Sequence, residues 1–180
     1  VGIIKKLSKP LSHTFKKVNS KIVLIGKTFG HLEQSCFLKE NYSLVDGMPP
    51  EINLLNEKNN GEGLLKLIEK NLILSAHDVS SGGLITALCE MSLTSKLGAK
   101  IQKPKKLTNL FRYFFGEDQA RYIIETEPKN LDMVEKILKD NDIYYEIIGL
   151  TQEEQFEIED ELKISIKDLF KINNEWYNNY

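Results

Sequence analysis

Apolar residues along this chain fall into short β-branched runs that alternate with stretches of helical period. Ile22-Val23-Leu24-Ile25, closed by Gly26, reads as a buried strand entering a loop. Pro49-Pro50 breaks the chain, and Leu64, Leu65, Leu67 and Ile68 then put an apolar stripe on one face of a helix reaching about Leu72. Asn59-Asn60-Gly61 weakens that helix, so a kinked or interrupted one is allowed. Ile73-Leu74-Ser75-Ala76 reads as a second strand, and Ser81-Gly82-Gly83 opens a helix that turns Leu84, Ala87, Leu88 and Met91 inward. Residues 98–101 suggest a strand, 107–115 a short aromatic helix and 122–126 another strand. Pro128 sits where a helix begins, with Leu131, Val134, Ile137 and Leu138 as its stripe. Residues 144–149, 155–158 and 162–166 read as strands, the last two close enough to pair as a hairpin, and a final helix runs from about Lys167 into Trp176. Strands and helices mostly alternate, so the pattern predicts a layered α/β arrangement on a mixed sheet.

With 180 residues, 41% of them hydrophobic and 28% charged, the chain suits one ordinary globular domain with a real core. A net charge of −2 gives no strong pull toward nucleic acid or an anionic membrane. The apolar runs are strand-sized, far short of the roughly 20 residues that a membrane-spanning helix needs, and no signal-peptide core precedes them. Cys36 and Cys89 lie far apart with no CxxC spacing and read as small buried apolar residues of a reducing compartment, so the cytoplasm is the expected location. Arg112 and Arg121 are the only arginines among 24 basic residues, and an arginine kept in such a lysine-rich chain invites a role for its planar fork. Residues 1–20 are lysine-rich and poorly periodic, like a connector entering the domain. The missing initial methionine fits a piece of something longer.

Three segments could carry chemistry. In residues 75–83 a strand gives way to a glycine-rich helix start, whose free N–H groups and positive dipole end suit a phosphate or carboxylate. There Asp78 could take a cation or a ligand hydroxyl. The plainer alternative makes Ser80 or Ser81 an N-cap and His77 a satisfied structural histidine, with Gly82 and Gly83 present for close packing. In residues 116–121, Glu117 and Asp118 could face magnesium or an amine, Gln119 an amide, and Arg121 a phosphate. The alternative there is a turn carrying an ion pair between Arg121 and Glu117. Residues 30–35 either present backbone amides to a ligand or start a helix with Ser35 near its cap; His31 has no partner at metal-ligand spacing. No GxSxG is present, and His13, His31 and His77 have no nucleophile-base context.

Taken in order, LIG, GHLEQSCFLKE, GMPP with INL, SAHDVSSGGLITALCEMS and LFRYFFGEDQARY resemble the large-subunit family of phosphoribosylformylglycinamidine synthases. The likeness is to the last C-terminal-type domain of that family, within the aminoimidazole ribonucleotide synthetase superfamily. The resemblance implies a layered α-β-α domain of the α/β (α+β) class over residues 21–180. Residues 1–20 would then be the end of a preceding N-type domain, with Val1-Gly2-Ile3-Ile4 as its last strand, followed by a linker. It also implies ATP and magnesium as cofactors of the whole enzyme, the remaining domains of the same polypeptide as partners, and a glutaminase subunit or domain supplying ammonia.

The implied reaction joins ammonia to formylglycinamide ribonucleotide at the expense of ATP, giving formylglycinamidine ribonucleotide, ADP and phosphate. The family's catalytic histidine and most nucleotide ligands belong to N-type domains, whose motifs this chain lacks, so the chain alone is expected to be inactive. Carried over by matching positions, the substrate- or nucleotide-binding candidates are His77, Asp78, Ser80, Gly82, Gly83, Glu117, Asp118, Gln119 and Arg121. Two departures weaken such a site: Ser81 stands where the family usually has an acid, and Glu33 where it commonly has glycine. The alternatives are a domain of another superfamily member, such as aminoimidazole ribonucleotide synthetase, selenophosphate synthetase or thiamine monophosphate kinase, and a non-catalytic structural module that buries a face of a neighbour.

Overall fold

In a computed structural model of the protein, which describes residues 10–104 and 109–178, strand β1 (Lys21–Ile25) sets the layers. Successive side chains of a strand point to opposite faces. Ile22 and Leu24 therefore enter one apolar core and Val23 and Ile25 the other, all four with no exposed surface. Seven strands form one sheet: β1, β2 (Ser75–Asp78), β3 (Gly98–Ile101), β4 (Tyr122–Thr126), β5 (Tyr145–Gln152), β6 (Gln155–Ile158) and β7 (Leu162–Ser165), in spatial order β2-β4-β1-β5-β3-β6-β7. The β3–β6 pair is parallel and the others are antiparallel, so the sheet is mixed, and β6 and β7 form the expected hairpin.

Helices cover both faces. Leu84, Ala87, Leu88 and Met91 of α3 (Gly83–Ser95) and Tyr113 and Phe114 of α4 (Leu110–Phe115) join the core beneath Ile22 and Leu24, with α6 (Ile166–Asn178) alongside. On the other face, Leu67 of α2 (Leu54–Glu69) and Val134, Ile137 and Leu138 of α5 (Leu131–Asp140) pack against Val23, Ile25 and Ile124. The expected three-layer arrangement is present. A 3-10 turn at Pro128–Asn130 leads into α5, and among the described residues no helix is long and apolar enough to cross a membrane.

Local expectations differ at several points. The helix after Pro49-Pro50 runs unbroken through Asn59-Asn60-Gly61, because Asn60 is buried and donates its amide to the Ala120 carbonyl at 2.8 Å. Gly63 in the same helix lies where a Cβ would stand 2.2 Å from Ile143, so the poor helix formers permit close approach to neighbouring chain. Leu65, expected on the buried stripe, faces solvent instead. Strand β2 starts two residues later than 73–76, and this places His77 and Asp78 in the sheet, paired with Ile123 and Tyr122. The aromatic helix begins at Leu110; residues 107–108 lie outside the described residues. So do Val1-Gly2-Ile3-Ile4, while residues 10–20 lie on the domain. Phe15 is buried, and the buried Glu125 accepts from the Lys16 and Lys17 amides at 2.8 and 3.0 Å and from Ser75 Oγ at 2.9 Å.

Candidate functional site

The C-terminal ends of β1 and β2 flank the start of β4, because Ile25 and Asp78 both pair with Tyr122. The segments that follow β1 and β2 and the one that precedes β4 therefore meet at one end of the sheet. These are the three segments singled out above, and antiparallel pairing through β4 brings them together.

Asp118 is the joint between two of them. Its carboxylate is 4% exposed; Oδ2 accepts from the Phe29 and Gly30 amides at 3.0 and 2.9 Å, and Oδ1 from the His31 amide at 3.1 Å. Three charge-assisted bonds from consecutive N–H groups fix the loop after β1. Arg121 completes the clamp. Its guanidinium is 1% exposed, donates to the carbonyls of Gly116 and Asp118 and to Thr28 Oγ1, and lies 3.9 Å from Asp118 Oδ2. Burial lowers the pKa of this guanidinium, with Asp118 opposing the shift, and its high intrinsic value keeps it charged. Arg112 adds a third fastening, Nε to the Gly30 carbonyl at 2.8 Å. Both arginines of the chain thus grip main-chain carbonyls of this joint.

Glu117 has a different task. Its Oε1 accepts from the Gly82 amide and the Cys36 amide, each at 2.8 Å. Those amides open α3 and α1 (Cys36–Tyr42), so one carboxylate sits on the positive ends of two helices. The expected N-cap by Ser80 or Ser81 is not formed: Gly82 is the cap residue of α3 and makes no side-chain cap bond, and Glu117 supplies the acceptor from a distant segment. For α1, Ser35 is the N-cap, accepting from the Leu38 amide. Gly83 has φ +71°, and a Cβ there would meet the Gly116 carbonyl oxygen at 2.7 Å. Only glycine lets α3 begin this close to the end of α4.

The remaining candidates are less engaged. Gln119 is exposed, with one long contact from its amide to the Glu117 carbonyl at 3.5 Å. Ser80 is exposed, and the Asp78 carboxylate is open to solvent apart from its contact to His77 Nδ1 at 3.2 Å. His77 also bonds Glu90 through Nε2 at 2.9 Å and lies against the His13 ring. Among the described residues no group of three or more His, Cys, Asp or Glu side chains is arranged to hold a metal ion.

A neighbouring cleft of about 480 Å³ lies beyond the same loop, lined by Lys27, Thr28, Phe29 and residues of β5. At its floor Tyr113 and Tyr144 both donate to the Glu146 carboxylate, at 3.1 and 2.6 Å. Burial, followed by the Glu146 charge, pushes the Tyr113 phenol far up, so it stays a donor at any ordinary pH. Sequence patterns did not point to this cleft, because its polar residues come from four separate segments with no local spacing to connect them.

Comparison with known proteins follows the same lines. Residues 17–161 match the family model described as AIR synthase related protein, C-terminal domain. The phosphoribosylformylglycinamidine synthase subunit PurL of Pelagibacter ubique is 47% identical over all 180 residues of the chain, which cover 25% of that protein. The corresponding Rhodopseudomonas palustris protein is 33% identical over the same span and 24% of its length. The chain thus spans about a quarter of the length of the curated relatives it matches. Among solved structures, Thermotoga maritima PurL complexed with FGAR has a TM-score of 0.71 at 17% identity, covering 89% of this chain and 29% of that one. The thiamine-monophosphate kinase of Stenotrophomonas maltophilia has a TM-score of 0.57 at 16% identity, covering 83% and 52%. At such identities the structural likeness speaks for the fold.

Proposed function

Because the chain belongs to the AIR synthase related proteins, as a C-terminal domain of that family, we propose that it is the last such domain of a phosphoribosylformylglycinamidine synthase large subunit. The observation that carries this is the 47% identity to the Pelagibacter ubique subunit, which runs without loss from end to end of the chain. The whole protein would convert formylglycinamide ribonucleotide and glutamine-derived ammonia to formylglycinamidine ribonucleotide with consumption of ATP. Its partners would be the other domains of the same polypeptide and a glutaminase. The solved structures of Thermotoga maritima PurL complexed with ATP and with ADP, and that of PurLQS from the same organism, support the nucleotide and partner assignments by analogy.

Within that enzyme the chain's own residues do not fit a self-contained magnesium-nucleotide site. Glu117 and Asp118 already accept from backbone amides, and Glu117 occupies the position an anion would take at α3. Arg121 is closed in on carbonyls. What remains open toward a ligand at this end of the sheet is Gln119, Asp78 and Ser80. The domain therefore acts as a rigid wall that positions those groups, while turnover requires the rest of the polypeptide. Purified full-length protein supplied with ammonia should release phosphate only when formylglycinamide ribonucleotide and ATP are both present, and the 180-residue chain should release none above background. Substrate-dependent phosphate release by the isolated chain would sink the assignment of turnover to the remaining domains; its absence from the full-length protein would sink the family activity itself.

A further inference from the structure

Among the described residues, a run of exposed apolar side chains extends from the end of α1 to the start of α2. Tyr42, Val45, Met48, Ile52, Leu54 and Leu55 are 67%, 68%, 71%, 65%, 76% and 66% exposed. Large apolar side chains scattered singly are normal on a surface, but with Leu44, 45% exposed, seven fall within fourteen consecutive positions, a concentration of the kind that marks an interaction site. The segment is also held in one shape. Glu33 Oε2 accepts from the Met48 amide at 2.7 Å, His31 Nε2 meets the Met48 carbonyl at 2.8 Å, and Gln34 binds the Asp46 and Gly47 carbonyls at 3.2 and 2.7 Å. Those three polar side chains come from the loop that Asp118 clamps, so the patch is continuous with the joint at the end of the sheet.

Charge along the same stretch is as uneven as polarity. Lysine makes up 22 of the 24 basic residues, yet none, and no arginine, occurs between Lys39 and Lys58, a span that is almost entirely exposed. Charged residues, lysine among them, are depleted at the core of protein interfaces, and here the basic ones are missing altogether. Acids in the span are Glu40, Asp46, Glu51 and Glu57. A second copy packed symmetrically through this patch would set these acids against their own equivalents with no local base to offset them.

We propose that residues 42–55 are a preformed docking strap, covered in the full-length polypeptide by an apolar, basic-rimmed surface of another domain of the same chain. The proposal rests on the reading of this chain as one domain of a longer enzyme, and the relatives, of which it spans about a quarter, supply ample chain for the covering domain. Because His31, Glu33 and Gln34 reach the strap directly, docking there would orient the loop after β1 against its neighbour.

Methionine oxidation in the full-length polypeptide, read by mass spectrometry, tests this without any substitution. Met48 should oxidise at least about tenfold more slowly in the native protein than in the same protein unfolded in guanidinium, at every protein concentration tried. Met91, fully buried in the core, marks the protected limit. A native Met48 rate within about twofold of the unfolded rate, or protection that disappears on dilution and so belongs to a second copy, would overturn the proposal. Failure of the underlying family reading would show separately, as full-length protein with no substrate-dependent phosphate release whatever the Met48 rate.

Discussion

Asp118→Asn changes the charge of the joint while leaving its shape almost intact, which makes it the most informative single substitution in the chain. The asparagine amide can keep its oxygen where Oδ2 accepts from Phe29 and Gly30, but its NH2 then faces the His31 amide across the 3.1 Å now spanned by a hydrogen bond. One bond to a charged acceptor is lost, about 1.5–3 kcal/mol, and the two that survive weaken from charge-assisted to neutral. Arg121, 1% exposed, also loses the counter-charge 3.9 Å away while keeping its carbonyl partners. The sum is a destabilisation of about 3 kcal/mol, with about 5 as the limit set by breaking a buried ion pair. For a domain of this size, about 3 kcal/mol lowers Tm by roughly 6–12 °C. Guanidinium denaturation and calorimetry measure the global effect, and amide exchange at residues 29–31 measures the local one. In a double-mutant cycle, Arg121→Met should show coupling with Asp118→Asn of about 1–2 kcal/mol. A loss below about 1 kcal/mol with unchanged exchange at residues 29–31 would refute the claim that Asp118 holds the loop.

Further expectations concern the neighbouring contacts. Glu117→Gln, which leaves an acceptor for Gly82 and Cys36 but removes the charge from two helix starts, should cost about 1–2 kcal/mol in denaturant unfolding, and less at high salt. Gly83→Ala should cost at least about 2 kcal/mol in the same measurement, from left-handed backbone strain combined with the contact at the Gly116 carbonyl. Burial, reinforced by Glu90, pushes the Cys89 thiol up to about 12 from 9.0, so the unfolded state loses its proton first. Stability should then be unaffected below pH 9 and fall as pH rises toward 12, and Cys89→Ala should flatten that slope in pH-dependent denaturation. A disulfide-exchange reagent at pH 8 should titrate the exposed Cys36 rapidly and leave Cys89 until the protein unfolds.

How much of this was legible beforehand follows from the range of each interaction. The β1 apolar run, the α3 and α5 stripes and the β6–β7 hairpin are local patterns, and all appear where the sequence puts them. The α2 helix appears where its stripe puts it, but its continuity is not local, because its intrinsic propensity is poor while its tertiary contacts are good. Asn60 and Gly63 weaken the helix in isolation and are the residues that seat it against Ala120 and Ile143. The strap offered no periodic signal, as expected if, on the proposal above, its apolar residues answer to a surface of another domain. At the site, glycine and acid content marked the right segments, but the partners of Glu117, Asp118 and Arg121 lie 35 to 93 positions away or on main-chain carbonyls. No local spacing encodes such pairings.

The GEDQAR segment was the most specific pattern in the chain, and its chemistry turns inward at most positions. Asp118 fastens the loop after β1, Glu117 closes two helix starts, and Arg121 ties the turn to Thr28 and Gly116, which leaves Gln119 as the outward-facing side chain of the run. Residue types that suggest magnesium, phosphate and amine binding are equally what a joint between three loops requires, because backbone N–H groups and carbonyls demand the same charges that ligands do. Only burial and partner geometry separate the two uses. By that standard the charged side chains of this segment are scaffold; on the proposed reading, the amide of Gln119 is the group left for a ligand, and the loop they hold carries the strap toward a neighbouring domain.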